Sequence, residues 1–150
     1  MREILFRGKS DLLGWVEGWY CPEVKWGEHH FPVGITHKTK EGWLDDVVVI
    51  PETIGQFTGL TDKNGKKIFE GDIIKSDNGK QSAVSVVCYG EFSPRMFYDL
   101  LENFVMQRPK EKIVGLFLKS TGEEMLLSNN SKLIEVIGNI HDNPELLKEE

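Results

Sequence analysis

The sequence predicts a mainly β protein that folds as a small, partly open β-barrel. Three observations support this prediction. Asn64-Gly65 lies between two runs of apolar-bearing strand formers, and both residues tolerate the positive φ of a hairpin turn. Gly71 offers a second turn shortly afterwards. Elsewhere, short alternating or β-branched segments recur between turn residues, and a single longer segment has helical spacing.

The first half of the chain contains three kinds of segment. Residues 2–7 predict a first strand, with Ile4 and Phe6 on one side. Residues 14–43 predict a Trp-rich insertion or irregular sheet, with short strands at 15–20 and 31–37. The β-branched run 47–50 predicts a buried strand that ends at Pro51, because proline lacks the N–H that a sheet needs.

The second half predicts further strands around one helix. Strands are expected at 72–76 and 82–89, joined by a turn at Asn78-Gly79, and later at 112–119, 124–127 and 133–140. Apolar residues at helical spacing predict an α-helix at about 93–107, with Ser93 as its N-cap and Pro94 as its first residue. A short C-terminal helical turn is expected at 143–147, packed onto the barrel.

Composition indicates one globular domain spanning residues 1–150. The chain is 39% hydrophobic and 28% charged, which is near the globular average. A formal net charge of −6 disfavours tight, sequence-independent binding to nucleic acid, which needs many cations. The two cysteines, Cys21 and Cys88, do not suggest a disulfide framework. The opening residues lack the long apolar core of a signal peptide, and no run approaches the roughly twenty apolar residues that cross a bilayer. We therefore expect a cytoplasmic protein that does not associate with membranes.

Three segments together resemble the YopX family, whose members are encoded largely by bacteriophages, prophages and plasmids. These segments are residues 2–7, residues 53–74 and residues 135–147. The resemblance implies a fold similar to an SH3-like β-barrel with insertions. It implies no known activity and no catalytic residues. The Trp-rich stretch and the predicted helix are the regions in which members of the family are least alike.

Two polar clusters could bind a metal ion, although each also has a simpler explanation. Around the central hairpin, side-chain oxygen ligands for a divalent cation are offered by Asp62, Asn64, Glu70 and Asp72. Such side chains more often bond nearby backbone N–H groups, so we expect a structural role in the turns for Asp62, Asn64, Gly65, Gly71 and Asp72. A second cluster carries thiol and imidazole ligands at spacings that match no compact zinc site; it comprises Cys21, Glu28, His29, His30 and His37. We therefore expect no metal, no cofactor and no catalytic constellation.

Aromatic side chains are the best functional lead. They could form the core of a small barrel, or an exposed surface that binds a peptide or stacks on a nucleobase. The candidates are Trp15, Trp19, Tyr20, Trp26, Phe31 and Trp43.

We therefore expect a non-enzymatic phage or prophage accessory protein that binds another protein or self-assembles as a homo-oligomer. A nucleic-acid-associated small β-barrel is one alternative, since basic turns could cluster on one side. A metal-binding protein that uses the Cys/His-containing N-terminal region is another.

Overall fold

A computed structural model describes residues 4–77, 79, 82–92, 113–120, 123–126 and 133–148 of the protein. These residues form mainly antiparallel β-structure, which confirms the predicted class. The chain divides into two compact units, residues 1–59 and residues 60–150, and each is described separately below. The sequence-based assignment of a single domain stays a prediction.

The first unit is built from antiparallel strands in the order β6-β5-β2-β1-β7, together with the separate ribbon β3-β4, and β7 continues two residues past the unit boundary at Gly59. Alternating residues and glycine turns explain these strands, as at Gly14, where φ is +73° and the chain turns from β1 into β2. The strand bounds are β1 Phe6–Ser10, β2 Gly14–Cys21, β3 Val24–Trp26, β4 His29–Phe31, β5 Gly34–Lys38, β6 Leu44–Val48 and β7 Ile50–Thr61.

One face of this sheet carries the apolar cluster of the first unit. The buried members are Val16, Ile35, Val47 and Val49, with Phe6 and Ile54 packed against them. Gly18 lies where β2 and β5 come very close, since a Cβ built on it would stand 2.0 Å from the Thr36 carbonyl oxygen. Only glycine fits this position without separating the two strands.

Two strand predictions in the first unit were wrong in detail. The first strand begins at Phe6, where pairing with Gly18 starts, and Ile4 is exposed before it. The predicted strand at 47–50 does not end at Pro51. Instead β6 ends at Val48, and Pro51 is the second residue of β7. Proline is tolerated there because the beginning of a strand can spare one ladder hydrogen bond.

The second unit contains a five-stranded antiparallel sheet in the order β12-β11-β10-β9-β13. Strand β8 is hydrogen-bonded to β7 and completes the hairpin predicted around Asn64-Gly65. The bounds are β8 Lys67–Phe69, β9 Asp72–Asp77, β10 Ser82–Phe92, β11 Ile113–Ser120, β12 Glu123–Leu126 and β13 Ile134–Asn139, followed by a 3-10 helix at Pro144–Leu147.

A second apolar cluster lies in this unit. It combines residues of several strands, namely Ile68, Ile74, Val87, Leu118, Ile134 and Val136, with Leu60 packed against them. Ile68, Ile73 and Ile74 are completely inaccessible to solvent. The central motif of the sequence therefore supplies core residues as well as turns.

The barrel prediction is not supported by the described sheets. The sheet that begins at β6 and the sheet that begins at β12 each run from one edge strand to another, and the first and last strands of each are not paired with each other. The predicted SH3-like topology stays a prediction, and the predicted helix at 93–107 lies outside the described residues. A 3-10 helix follows Asn143, whose side chain makes no capping hydrogen bond. Within the described ranges, no helix has the length and apolarity needed to cross a bilayer.

Candidate functional site

The ribbon β3-β4 continues the register of the β2-β5 pair across residues 22–23 and 32–33, which lie between the strands, and we call residues 19–36 the arm. Cys21 lies opposite Gly34 in the β2-β5 pair, and Val24 lies opposite Phe31 in the ribbon. At the tip, Trp26 faces His29 across the turn at Gly27, where φ is +61°. We call residues 24–31 the distal hairpin. Its strands pair only with each other in the described part of the chain.

The distal hairpin has one apolar and one charged face. Directly opposed residues of an antiparallel pair point to the same side, so Val24 and Phe31 share a face with Trp26 and His29. Lys25 and His30 point to the other side. Such two-sided patterning normally accompanies a strand pair with one covered face and one solvated face.

An ion cluster fixes the charged face. The Glu23 Oε1 atom lies 2.7 Å from His30 Nε2 and 3.4 Å from Lys25 Nζ. The hydrogen bond to His30 and then that to Lys25 hold the pKa of the Glu23 carboxyl below its ordinary value. These groups are solvent-exposed, so their value to stability is small, but they orient the hairpin's polar side.

The apolar face is uncovered. Trp26 is 78% exposed and Phe31 is 55% exposed, and Val24 is also exposed beside them. With aromatic side chains of about 150–250 Å² each, this face offers roughly 400 Å² of apolar surface. A patch of that size is typical of the largest patch on a monomer, which often has a function. It is about half of what one partner contributes to a standard protein interface.

The aromatic candidates in β2 are divided between its two faces. Trp15 is half-buried, and its ring lies 4.7 Å from the Arg7 guanidinium carbon. Tyr20 stacks at a tilt on Phe6, with ring centroids 5.5 Å apart. Trp19 is adjacent to Tyr20 in β2 and therefore points to the opposite side of the sheet.

Trp43 precedes β6 and is 75% exposed, in a turn closed by the hydrogen bond from Thr39 N–H to the Trp43 carbonyl. Five of the six candidates are thus exposed and Trp15 is half-buried. Their role in binding stays a prediction.

The proposed turn residues make hydrogen bonds to the backbone. One carboxylate oxygen of Asp62 accepts the N–H groups of Asn64 and Lys66, and the other accepts that of Val136. Burial raises the pKa of Asp62, but these three hydrogen bonds outweigh burial and the pKa lies below its ordinary value.

Asp72 accepts the N–H of Phe69, at 2.8 Å. Gly65 and Gly71 have φ of +79° and +83°, which favour glycine. These residues therefore shape the hairpin and the corner after it.

The thiol and imidazole side chains are not brought together. The Cys21 sulfur lies 2.7 Å from the Thr36 hydroxyl, while His30 pairs with Glu23. His37 Nε2 lies 4.0 Å from a carboxylate oxygen of Asp45. Among the residues described, no group of three or more His, Cys, Asp or Glu side chains could hold a metal ion. The metal-binding interpretation stays a prediction.

Sequence reasoning missed Val24, and it considered His29 only as a metal ligand and not as a neighbour of Trp26 on the same side of the hairpin. The signal that could have found them is the alternation of Val24 and Trp26 before a Gly-containing turn, which is typical of a two-stranded ribbon. The same alternation places Lys25 on the opposite side of the strand from Val24 and Trp26. The prolines at positions 22 and 32 obscured this pattern.

The fold and this surface define an antiparallel β protein of two compact units with an exposed amphipathic hairpin. The family model described as "YopX protein" matches residues 27–148, and the chain belongs to the YopX family. The match begins at the tip of the distal hairpin. The opening segment 2–7, which also suggested the resemblance, lies outside it.

Protein EF1440 from Enterococcus faecalis, known from a crystal structure, is similar over the whole length. It is 22% identical, with 98% of this chain and 99% of that chain covered and a TM-score of 0.44. A comparison with curated proteins finds no significant match.

Proposed function

We propose that this YopX-family protein is a non-enzymatic binding or self-assembling module of phage or prophage origin, acting in the cytoplasm of the host cell. The distal hairpin is its docking element. The observation that supports this proposal is the uncovered apolar face formed by Val24, Trp26 and Phe31 on a ribbon whose other face is charged.

The exposed apolar face of the distal hairpin supports a docking role. Removing apolar side chains from water is favourable, so a partner that covers this face would lower the free energy of the protein. Trp26 and Phe31 are residue types that contribute strongly to protein interfaces, because each offers a large contact area for few rotatable bonds. Covering this face would stabilise the hairpin and create the interface at the same time.

The size of the patch limits what it can bind alone. Roughly 400 Å² is about half of the ~800 Å² that each partner contributes to a standard interface. The distal hairpin therefore requires either a groove that surrounds it or a second contact surface. Exposed apolar side chains elsewhere on the first unit, such as Trp19 and Trp43, could supply further contacts.

The test compares the two faces of the same hairpin. The double variant Trp26→Ser/Phe31→Ser removes the apolar face, and the matched control Lys25→Ser/His30→Ser removes the charged one. Light scattering over a concentration series measures self-association. A photo-crosslinking residue at position 26, or at position 25 as the control, reports on a protein partner in lysogenic cells.

The proposal predicts assembly or crosslinking that the apolar-face variant abolishes and the control retains. Strictly monomeric protein at all concentrations, together with equal crosslinking from positions 25 and 26, would contradict it. The folded state of each variant is checked by circular dichroism.

Nucleic-acid binding is the second candidate, because exposed tryptophans can stack on bases. It has less support, since the formal net charge is −6 and the apolar hairpin face carries no lysine or arginine. Fluorescence anisotropy with labelled single- and double-stranded DNA at low salt distinguishes the two candidates. Salt-dependent binding at micromolar protein would favour this alternative.

A further inference from the structure

Strand β6, Leu44–Val48, is an open edge. Within the described ranges it is the first strand in the sheet order, with β5 as its single neighbour. The Val49 N–H donates to the Val33 carbonyl, and the register places Val47 opposite Ile35. Because hydrogen-bonded and non-bonded pairs alternate in an antiparallel ladder, the backbone groups of the alternate residues point away from β5. Those residues are Leu44, Asp46 and Val48.

The side chains of this edge are apolar or acidic, and most of them are exposed. Leu44 is 66% exposed and Val48 is 58% exposed, and both flank Asp46 on the same side of the strand. The Asp46 carboxylate accepts a hydrogen bond of 2.5 Å from the hydroxyl of Thr36, the residue opposite it in β5. This bond holds the carboxylate on the same side of the strand as Leu44 and Val48. Asp45 lies on the opposite side with its carboxylate near His37. The edge thus carries one carboxylate on each side, and the carboxylate of Asp46 lies between two exposed apolar side chains.

We propose that β6 accepts an extended segment of a partner protein as an additional strand, and that this segment carries two adjacent basic residues. Main-chain hydrogen bonds to residues 44, 46 and 48 supply affinity, and the side-chain pairs supply specificity, as in other cases of strand addition. In antiparallel register the segment reads apolar, apolar, basic, basic, apolar. Its basic residues then lie opposite Asp46 and Asp45, and its last apolar residue lies opposite Leu44.

Charge argues against a second copy of this chain as the occupant. Two β6 strands in full antiparallel overlap would place Asp46 directly opposite Asp46 of the other copy. Like charges opposite one another destabilise a strand pair, whereas a basic residue there stabilises it. The same carboxylates that discourage self-pairing therefore select a cationic strand.

The test is peptide binding with a charge swap. A fluorescein-labelled peptide with the core Val-Ile-Lys-Lys-Leu is compared with one in which Glu-Glu replaces Lys-Lys, by fluorescence anisotropy. The protein should bind the Lys-Lys peptide more tightly. The variant Asp45→Lys/Asp46→Lys should reverse the preference, with a change of roughly tenfold for each peptide from the two reversed cross-strand pairs.

A backbone control separates strand addition from simple charge attraction. N-methylation of the peptide residues opposite Leu44, Asp46 and Val48 removes N–H groups that point at β6. It should weaken binding at least roughly fivefold. N-methylation of the residues opposite Asp45 and Val47 removes N–H groups that point away, and binding should persist.

Three outcomes would overturn the inference. The first is that neither peptide binds, in which case the carboxylates only prevent β6 from pairing with the edge strand of another molecule. Both N-methylated peptides bind equally, so the contact is not a strand. Light scattering finds a dimer that the Asp45→Lys/Asp46→Lys variant abolishes, so the occupant is a second copy. The variant Trp26→Ser/Phe31→Ser should bind the peptide like the unmodified protein, because the edge strand acts independently of the distal hairpin.

Discussion

The carboxylate of Asp62 accepts a hydrogen bond of 3.0 Å from the backbone N–H of Val136, which lies 74 positions later in the chain. The same side chain also receives the N–H groups of Asn64 and Lys66 at 2.8 and 2.9 Å. One buried acid therefore closes the central hairpin and ties it to strand β13. This contact joins residues 53–74 to residues 135–147, two of the segments that resemble the YopX family.

Replacing Asp62 by alanine should destabilise the second unit by about 3 kcal/mol, because the variant leaves buried backbone donors without a charged acceptor. Urea denaturation measures the loss. Asp77→Ala is the matched control, since Asp77 caps Gly79 N–H in an exposed turn and should cost less than about 1 kcal/mol. Equal losses in the two variants would contradict the proposed role of Asp62.

Acid should weaken the second unit through the same group. The pKa of Asp62 is lower when folded, so its contribution to the free energy of unfolding is fully present above its unfolded value of about 3.9. The contribution is lost as the pH falls below that value and through the folded pKa. Unfolding free energies measured between pH 6 and pH 2 should therefore fall more steeply for the unmodified protein than for Asp62→Asn. Parallel curves would contradict this assignment.

A methyl group at Gly18 should disrupt the first unit. Its Cβ would lie 2.0 Å from the Thr36 carbonyl oxygen, and a backbone atom cannot move aside as a flexible side chain can. Gly18→Ala should cost at least about 2 kcal/mol, by the usual cost of overpacking. Thermal unfolding measures the loss, and Ser82→Ala on exposed surface is the control. An unchanged midpoint would show that β2 and β5 are not in such close contact.

Ile35→Ala and Ile68→Ala test whether the chain unfolds as one domain. Both side chains are fully buried, the first in the cluster of the first unit and the second in that of the second. Each should cost about 2–5 kcal/mol. If one cooperative domain is present, both variants lower the same transition in calorimetry. Two transitions, each shifted by only one of the variants, would contradict the single-domain prediction.

Single-tryptophan variants, with phenylalanine at the other three positions, should separate exposed from protected side chains. Trp26 or Trp43 alone should emit like a fully hydrated indole and be quenched strongly by iodide, because each is more than two-thirds exposed. Trp15 alone should be quenched less, since it is half-buried beneath Arg7. Strong protection of Trp26 in dilute protein would mean that its surface is already covered.

The sequence predicted best where local chemistry decides the structure. Asn64-Gly65 identified a hairpin, since few residues accept a positive φ, and the strand formers that follow the turn at Gly71 identified β9. The strands near 82–92, 113–120 and 134–139 were also found within a few residues, because their apolar runs lie between turn residues. Such signals depend on neighbours in the sequence, which are visible without a structure.

Features set by distant partners were missed. Whether Trp26 is buried depends on what packs against the hairpin, and the residue pattern alone suited a core as well as a surface. The sequence also misplaced the end of the strand before Pro51, because the tolerance of a sheet for proline depends on which ladder position it occupies. The edge position of β6 depends on the strand order, which no local pattern encodes.

The unbroken register of the arm restricts how its length can change during evolution. Three positions separate Cys21 from Val24 on one side, and three separate their partners Phe31 and Gly34 on the other. Neither side therefore contains an extra residue between the two pairs. An insertion of one residue on one side would turn Trp26 away from the side occupied by Phe31. Relatives with longer or shorter arms should therefore have gained or lost equal numbers of residues on both sides of the Gly27-Glu28 turn.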